Sequence, residues 1–547
     1  MSLTLSELQS AGNEQLLRLI DRRHPDFMEN VDHWKFLDLS YRGGRKWIEE
    51  NLFSYHKEGK NEFADRKKRA YRFPHSREVV SLVNKYVFKG AIERREKLPD
   101  PIKEFWNSAT LLKRPVRDLM MGISTWTSTF GRIWVVVDNN IPADVVTVSD
   151  RKNSSGRTYA YFLKPAQVYD FEYDEDGELN WILYGEFARD AGSPLDSDGS
   201  MNAQFRIWTK DFTAALREVK TDGERRIILI QKSIREHNLG VVPVFAADHI
   251  TSEDLYTSAG LLEDVAYLDR AVTNYLSNLD VIIQDQTFSQ LAIPYQGLLQ
   301  SAAASDYDDL DGDSADTDQM VKMGTKRVFA YNAEGGSAPE FISPDVKQAD
   351  IIMKAVTKVV GEIYHSIGMA GERTKEDNAA GIDNSSGVAK AYDFEKLNAM
   401  LAAKASSLQH IEKNLVRLVL AWHSELKELE DIEEFVSYPS TFDVRNLADE
   451  MDNAQRMSVM AGPKLLRRMQ MKRLAFKMFP QAPEAEMQAI EKEIDEDWLE
   501  IDPLEPPPLG GSLPTTGRVP GKKNSQGENN KGSVKAADKE KETKPAK

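Results

Sequence analysis

The spacing of apolar residues divides this chain into stretches of different period. Over the first hundred or so residues, helix-like segments alternate with polar turns, one of them Tyr41-Arg42-Gly43-Gly44. Residues 77–90 (REVVSLVNKYVFKG) put Val79, Val80, Val83, Tyr86 and Val87 on one helical face, with Gly90 placed to stop the helix. A further helix is predicted over 115–129. The period then shortens. Residues 130–138 (FGRIWVVVD) are β-branched and aromatic, and strands are predicted at 159–163, 168–173, 181–184, 205–209 and 227–231, with Asp174-Glu175-Asp176-Gly177 as a turn. Together they make a mostly antiparallel β unit from about 130 to 245.

The helical period returns after His237-Asn238-Leu239-Gly240-Val241-Val242-Pro243-Val244. Ser252-Glu253-Asp254 supplies an N-cap and first-turn acids, which predicts a helix over about 253–284 with a stripe through Leu261, Val265, Leu268, Val272, Tyr275, Leu279 and Ile282. Residues 285–345 carry a mixed signal, with one strand-like piece at 327–331. Ile352, Val356, Val359, Ile363 and Ile367 form the next stripe, over a helix of about 346–367 ending at Gly368. A polar segment, ERTKEDNAAGIDNSSG, fills 372–387. Then Leu397, Leu401, Leu408, Ile411, Leu415, Leu418 and Trp422 run at near-heptad spacing along 388–423, about 50 Å of helix at about 1.5 Å per residue. That stripe is covered either by this chain's own core or by a neighbouring subunit. Helical segments are also predicted at 453–479 and 483–498. Beyond 503 the chain is rich in Pro, Gly, Lys, Asn and Ser and is not expected to fold by itself.

The fold class expected is therefore α+β, and a length of 547 residues exceeds what one core accommodates, so two to four structural units are expected. With 41% apolar and 29% charged residues, most of the chain should fold. The absence of cysteine removes disulfides, thiolate metal sites and cysteine nucleophiles together. The N-terminus lacks a basic start followed by an apolar core, and no run of eighteen apolar residues occurs, so a soluble, cytosolic chain with no membrane partner is expected. The formal charge of −16 argues against tight nucleic-acid binding, which depends on clustered Lys and Arg releasing counterions. Residues 506–547 carry the opposite local sign, with nine Lys or Arg against four acids.

The chemistry-bearing patterns are few. The chain contains no phosphate loop, dinucleotide fingerprint, nucleophile elbow or paired-histidine zinc motif, so an enzyme is not expected, nor a cofactor or metal. The nine histidines are scattered and suit structural or surface roles. The seven aspartates over 306–318 invite a calcium loop, but counting from Asp309 as the first position Gly312 stands fourth, where the EF-hand needs glycine sixth. A solvated acidic loop, or a surface for a protein partner, fits better. A Mg²⁺-dependent nuclease using Glu263-Asp264 or that cluster is the enzymatic alternative.

Taken in order, the motifs resemble the portal proteins of tailed bacteriophages, of the siphophage type. The resemblance spans Tyr71-Arg72-Phe73-Pro74 and Val83-Asn84-Lys85, the strand start at Phe130-Gly131, Asn238-Leu239-Gly240-Val241-Val242-Pro243-Val244, and Ser252-Glu253-Asp254-Leu255. Its sharpest piece is Ser386-Gly387-Val388-Ala389-Lys390, similar to the family's Ser-Gly-x-Ala-Lys at the start of its long helix.

This resemblance implies a wing over 1–250, with helices to 129 and a β-rich part after, and stem helices at 251–285 and 346–368. It implies an α/β clip at 286–345, a tunnel loop at 369–387, a long wing helix at 388–424 and a helical crown at 425–502. The tunnel loop would touch DNA through Arg373, Thr374, Lys375, Asn378, Asn384 and Ser385. The clip would meet the terminase and the neck through Asp306, Asp308, Asp309, Lys322, Lys326 and Arg327. Stem packing would fall to Leu261, Val265, Leu268, Val272, Ile352, Val356 and Ile363. The implied function is a ring of twelve copies at one capsid vertex that nucleates head assembly and conducts double-stranded DNA during packaging and ejection. The implied partners are further copies of the chain, the major capsid protein, scaffold, the large terminase subunit and a neck adaptor. The implied location is the virion, after assembly in the host cytoplasm. Another head–tail connector or a minor capsid protein is the structural alternative.

Overall fold

The computed structural model describes residues 3–140, 156–189, 195, 199–294, 328–331, 340–342, 346–368, 387–423 and 435–442, and parts of 468–478 and 484–496, with short gaps inside these ranges. The chain divides into two units, Met1–Val444 and Arg445–Lys547. In the first unit the N-terminal helices are α1 (Leu5–Ser10), α2 (Asn13–Asp21), α3 (Pro25–Arg42), α4 (Arg45–Asn51), α5 (Lys60–Arg69), α6 (His75–Val87), α7 (Asp100–Asn107) and α8 (Val116–Phe130). Gly43 and Gly44, at φ of 66° and 85°, end α3 at the predicted break, because a side chain is strained in that left-handed region.

The strands follow as β1 (Glu93–Arg94), β2 (Arg132–Asn139), β3 (Thr158–Leu163), β4 (Val168–Tyr173), β5 (Leu179–Arg189), β6 (Met201–Thr209), β7 (Phe212–Thr221), β8 (Glu224–Leu229), β9 (Arg235–Glu236) and β10 (Val244–Asp248). They form two antiparallel sheets, β10-β2-β3 and β4-β5-β6-β7-β8 with β9 on β7. Strands β1, β7, β9 and β10 were not announced by the pattern, and of these β7 is the longest. It follows β6 through Lys210-Asp211, a connection without the Asn-Gly or Asp-Gly signal of a two-residue hairpin.

The two sheets explain why β2 reads as an unbroken apolar run. Its Ile133, Val135 and Val137 face a core shared with α6, α8 and the later long helix, whereas Trp134 and Val136 face a second core between the sheets. A strand covered on both faces has no polar side to alternate. Strand β5 splits in the same way. Ile182 and Tyr184 join that intersheet core, and Trp181 and Leu183 join a third cluster with Leu8, Leu16 and Ile20 of α1 and α2. The order of layers is thus α1 and α2, the larger sheet, the smaller sheet, and the remaining helices.

Three long helices complete this unit: α9 (Val265–Thr287), α10 (Val346–Ser366) and α11 (Gly387–Trp422). Between α9 and α10 lie β11 (Gln290–Pro294), β12 (Val328–Tyr331) and β13 (Glu340–Ile342), with β11 central, parallel to β12 and antiparallel to β13. The two-residue β14 (Val436–Ser437) pairs antiparallel with β1. On α11 the heptad-like residues Leu397, Leu401, Leu408, Ile411, Leu415 and Leu418 are buried in the main core, so that stripe is covered by its own chain. In the second unit α12 (Glu484–Glu496) matches a predicted helix. Apart from short helical pieces within 468–478, the rest of that unit, including most of 453–479 and the whole tail from 503, lies outside the described residues.

One boundary differs from expectation. The helix predicted from about 253 begins at Val265 instead. Ser252 and Asp254 do cap backbone amides, but those of a turn: Asp254 N–H donates to Ser252 Oγ at 3.1 Å and Tyr256 N–H to Asp254 Oδ1 at 2.9 Å. The following segment is held as an extended strap across the end of α8, where Leu261 N–H donates to the Ser128 carbonyl at 2.8 Å. A Cβ on Gly131 would lie 1.6 Å from the Ser258 carbonyl oxygen, so only glycine permits this approach.

Candidate functional site

The α9–α10 pair carries the sequence-predicted packing residues except Leu261, which lies in the strap before α9. Val265, Val272, Val356 and Ile363 are buried in the main core, and Leu261, Leu268 and Ile352 pack against it half-buried. The polar residues of α9 are taken up by the N-terminal helices. Buried Asp269 accepts from Arg72 Nη2 at 2.5 Å and from the Ser76 amide and hydroxyl at 3.0 and 2.6 Å. Arg72 also lies over the Trp47 ring at 4.1 Å, and burial lowers its affinity for a proton despite the neighbouring Asp269. Arg66 reaches Ser277 Oγ at 3.0 Å while its guanidinium pairs with Glu58 at 2.7 Å. Asn274 accepts from the Phe53 amide at 3.0 Å and donates to the Asn51 carbonyl at 3.1 Å. A buried charge without such partners would be costly, so this network fixes α9 to α4, α5 and α6.

Helix α10 is tied to α6 through buried Tyr364, whose hydroxyl donates to Glu78 at 2.6 Å, but is otherwise more exposed. Opposite its packed stripe it exposes Lys347, Asp350, Ile351, Lys354, Lys358, Glu362 and His365. Lys358 pairs with Glu362 at 3.5 Å in a solvent-screened contact. Ile351 is 66% exposed. The face mixes both signs with a small excess of lysine, which allows weak, salt-sensitive contact with a polyanion and no reading of base edges.

The other predicted site residues are not positioned. Arg373, Thr374, Lys375, Asn378, Asn384 and Ser385, together with Asp306, Asp308, Asp309, Lys322, Lys326 and Arg327, lie outside the described residues. The acidic pair Glu263-Asp264 is split: Glu263 binds His33 Nε2 at 2.6 Å, and Asp264 faces solvent. Among the described residues no group of three or more His, Asp or Glu is arranged to hold a metal ion, and no helix is long and apolar enough to cross a membrane.

Sequence reasoning missed the charges inside the core. Lys404 of α11 is fully buried, with Nζ 2.5 Å from Thr127 Oγ1, and burial pushes its pKa well below 10.5. Beside it His249 is held well below 6.5, by burial first and by Lys404 second. Glu412, also on α11, accepts from Arg94 Nε at 2.7 Å and from the Tyr438 hydroxyl at 2.7 Å. A signal for Lys404 exists: it occupies the place between Leu401 and Leu408 where the stripe's spacing calls for an apolar residue.

No protein family matches the chain, and no curated protein does. Chains in solved structures of gene transfer agent particles show a distant likeness. One in the neck of an empty particle, computed with C6 symmetry, is 8% identical with a TM-score of 0.36, covering 78% of this chain and 98% of that one. One in the virion of the native particle is 9% identical with a TM-score of 0.35, over 80% and 98%. One in the neck of the native particle, computed with C12 symmetry, is 8% identical with a TM-score of 0.33, over 77% and 89%.

Proposed function

We propose that this chain is a portal-type subunit that closes head-to-tail into a ring around a DNA channel and does no chemistry of its own. The observation that carries the reading is the asymmetry of the α9–α10 pair. Both helices hydrogen-bond to the N-terminal helices, α9 through Asp269 and Ser277 and α10 through Tyr364, but α9 is largely buried along its length while α10 leaves a mixed-charge face to solvent. The pair is joined through the sheet-bearing stretch 288–345 and followed by the polar stretch 369–386, the order that the resemblance to portal proteins implies.

In this reading the exposed face of α10 lines the channel. A heterologous contact repeated by rotation closes at a fixed angle, and twelve copies satisfy it here. Each copy contributes a charge of −16, so most surfaces repel the DNA backbone and the duplex slides instead of adhering. The stretch 372–387, with Arg373 and Lys375 beside Glu376 and Asp377, forms a soft constriction of weak phosphate contacts. The segment between α9 and α10 meets the packaging motor, which supplies the energy, and later the neck adaptor. Capsid and scaffold proteins contact the outer parts.

Two measurements test it. Purified protein should elute at about twelve times the 61.9 kDa chain mass. Particles carrying a deletion of 374–385 should lose packaged or retained DNA length. A stable monomer, or normal packaging and retention in the deletion, removes the corresponding part.

A further inference from the structure

Helix α9 leaves one strip of its surface open. Tyr267, Arg270, Asn274 and Asn278 follow one another at steps of three or four residues and so share a face about 16 Å long. The segment after α4 runs beside it, where the Phe53 amide donates to Asn274 Oδ1 at 3.0 Å and the Tyr55 hydroxyl donates to Asn278. Phe53 is 56% exposed, Tyr267 42% and Tyr55 40%, so three large rings meet solvent in one place.

Arg270 stands among them. Its guanidinium carbon lies 4.8 Å from the Phe36 ring centre, 4.9 Å from that of Tyr267 and 5.3 Å from that of Phe53. The arginines that reach α9 from the N-terminal helices each hold a carboxylate: Arg66 binds Glu58, Arg69 binds Asp280 and Arg72 binds Asp269. Among the described residues the Arg270 side chain has no ion pair and no hydrogen bond, and none of its nitrogens is sealed from solvent. The surrounding rings hold the group in place before any partner arrives, so a carboxylate docking on it would fix fewer rotamers than at a free surface arginine. Arginine and tyrosine in an aromatic surround is also the composition of interface hot spots.

Charge chooses the partner. One unmatched cation is too little for a polyanion, whose binding sums over clustered bases. A second copy of the chain, with 87 acids against 71 bases, presents an acid-rich surface to it. The strip contributes no acid of its own, and Glu263 before it is bound by His33 Nε2 at 2.6 Å. Two strips laid face to face would set Arg270 against Arg270, so a two-fold contact is disfavoured and the strip must meet a different surface of the next copy. A contact of that head-to-tail kind, repeated by rotation, is one that closes a ring.

We propose that the strip of Tyr267, Arg270, Phe53 and Tyr55 is one side of the contact between neighbouring copies, with an Asp or Glu of the next copy on Arg270 and apolar side chains of that copy on the exposed rings. This rests on the head-to-tail ring proposed for the chain and adds which surface joins its members. In Arg270→Glu the concentration at which half of the purified chains are assembled, read by mass photometry, should rise at least tenfold. Circular dichroism and the melting temperature should stay close to those of the unaltered protein, because Arg270 has no polar partner within its own chain.

A second variant keeps Arg270 and decides the matter if that substitution disturbs folding. Photoreactive p-benzoylphenylalanine in place of Phe53 should cross-link one copy to another, at a peptide outside 51–56 and 267–278 that carries an acidic residue. Rings of Arg270→Glu that form at the unaltered concentration overturn this contact and leave the ring itself standing. So do assembled rings with no cross-link between copies from position 53, or with one that runs from strip to strip. A purified chain that stays monomeric removes the ring and this contact together.

Discussion

At the scale of single residues, the most consequential side chain is one that resists its surroundings. Lys404 sits fully buried among Thr127, His249 and the more distant Asp248 carboxylate, and burial depresses its pKa in the folded protein. In the unfolded chain it titrates near its ordinary 10.5. Between the depressed value and 10.5 the unfolded state holds the extra proton, so stability rises with pH across that window and is lost as pH falls through it. His249 adds the same sign of dependence below 6.5, where only the unfolded state readily takes a proton. Thermal unfolding followed from pH 6 to 10 should therefore show a melting temperature that increases with pH. Lys404→Met should flatten the slope above pH 7, and should range from neutral to about 1–4 kcal/mol stabilising at pH 7, since it replaces a buried charge site with apolar volume. A variant with the unaltered slope would mean that Lys404 is solvated or paired in solution.

At the scale of elements, what could be read in advance was whatever a single period determines. The stripe on α11 was legible because Leu397 to Leu418 keep one spacing, although which surface covers it was not, and the fold supplies the chain's own core. The run in β2 was legible as a strand, and that both of its faces are buried came only with the fold. The start of α9 was misjudged because Ser252 and Asp254 have the chemistry of a helix cap, and the same hydrogen bonds close a turn equally well. What decides between them is the contact with Gly131, some 120 residues away in sequence, which no local pattern reports. Gly131→Ala tests that contact. With φ at 81° the backbone strain alone costs about 1–3 kcal/mol, and the added methyl must also displace the Ser258 carbonyl. A lower melting temperature and faster proteolysis within 251–264 are expected, whereas an unchanged protein would show that the strap is not held there.

At the scale of the whole molecule, the order of elements was legible while the inter-element segments to which the proposed function gives the motor and DNA contacts, 295–327 and 369–386, lie outside the described residues. The proposed assembly makes one geometric demand: the face of α10 that carries Lys354 must look inward. Because the chain has no cysteine, a single Lys354→Cys substitution provides one unique attachment point for a maleimide–gold cluster. Imaged by electron microscopy, labelled protein should appear as rings with metal density gathered about a central hole. Gold on the outer rim, or on particles of one chain with no hole, would contradict the account.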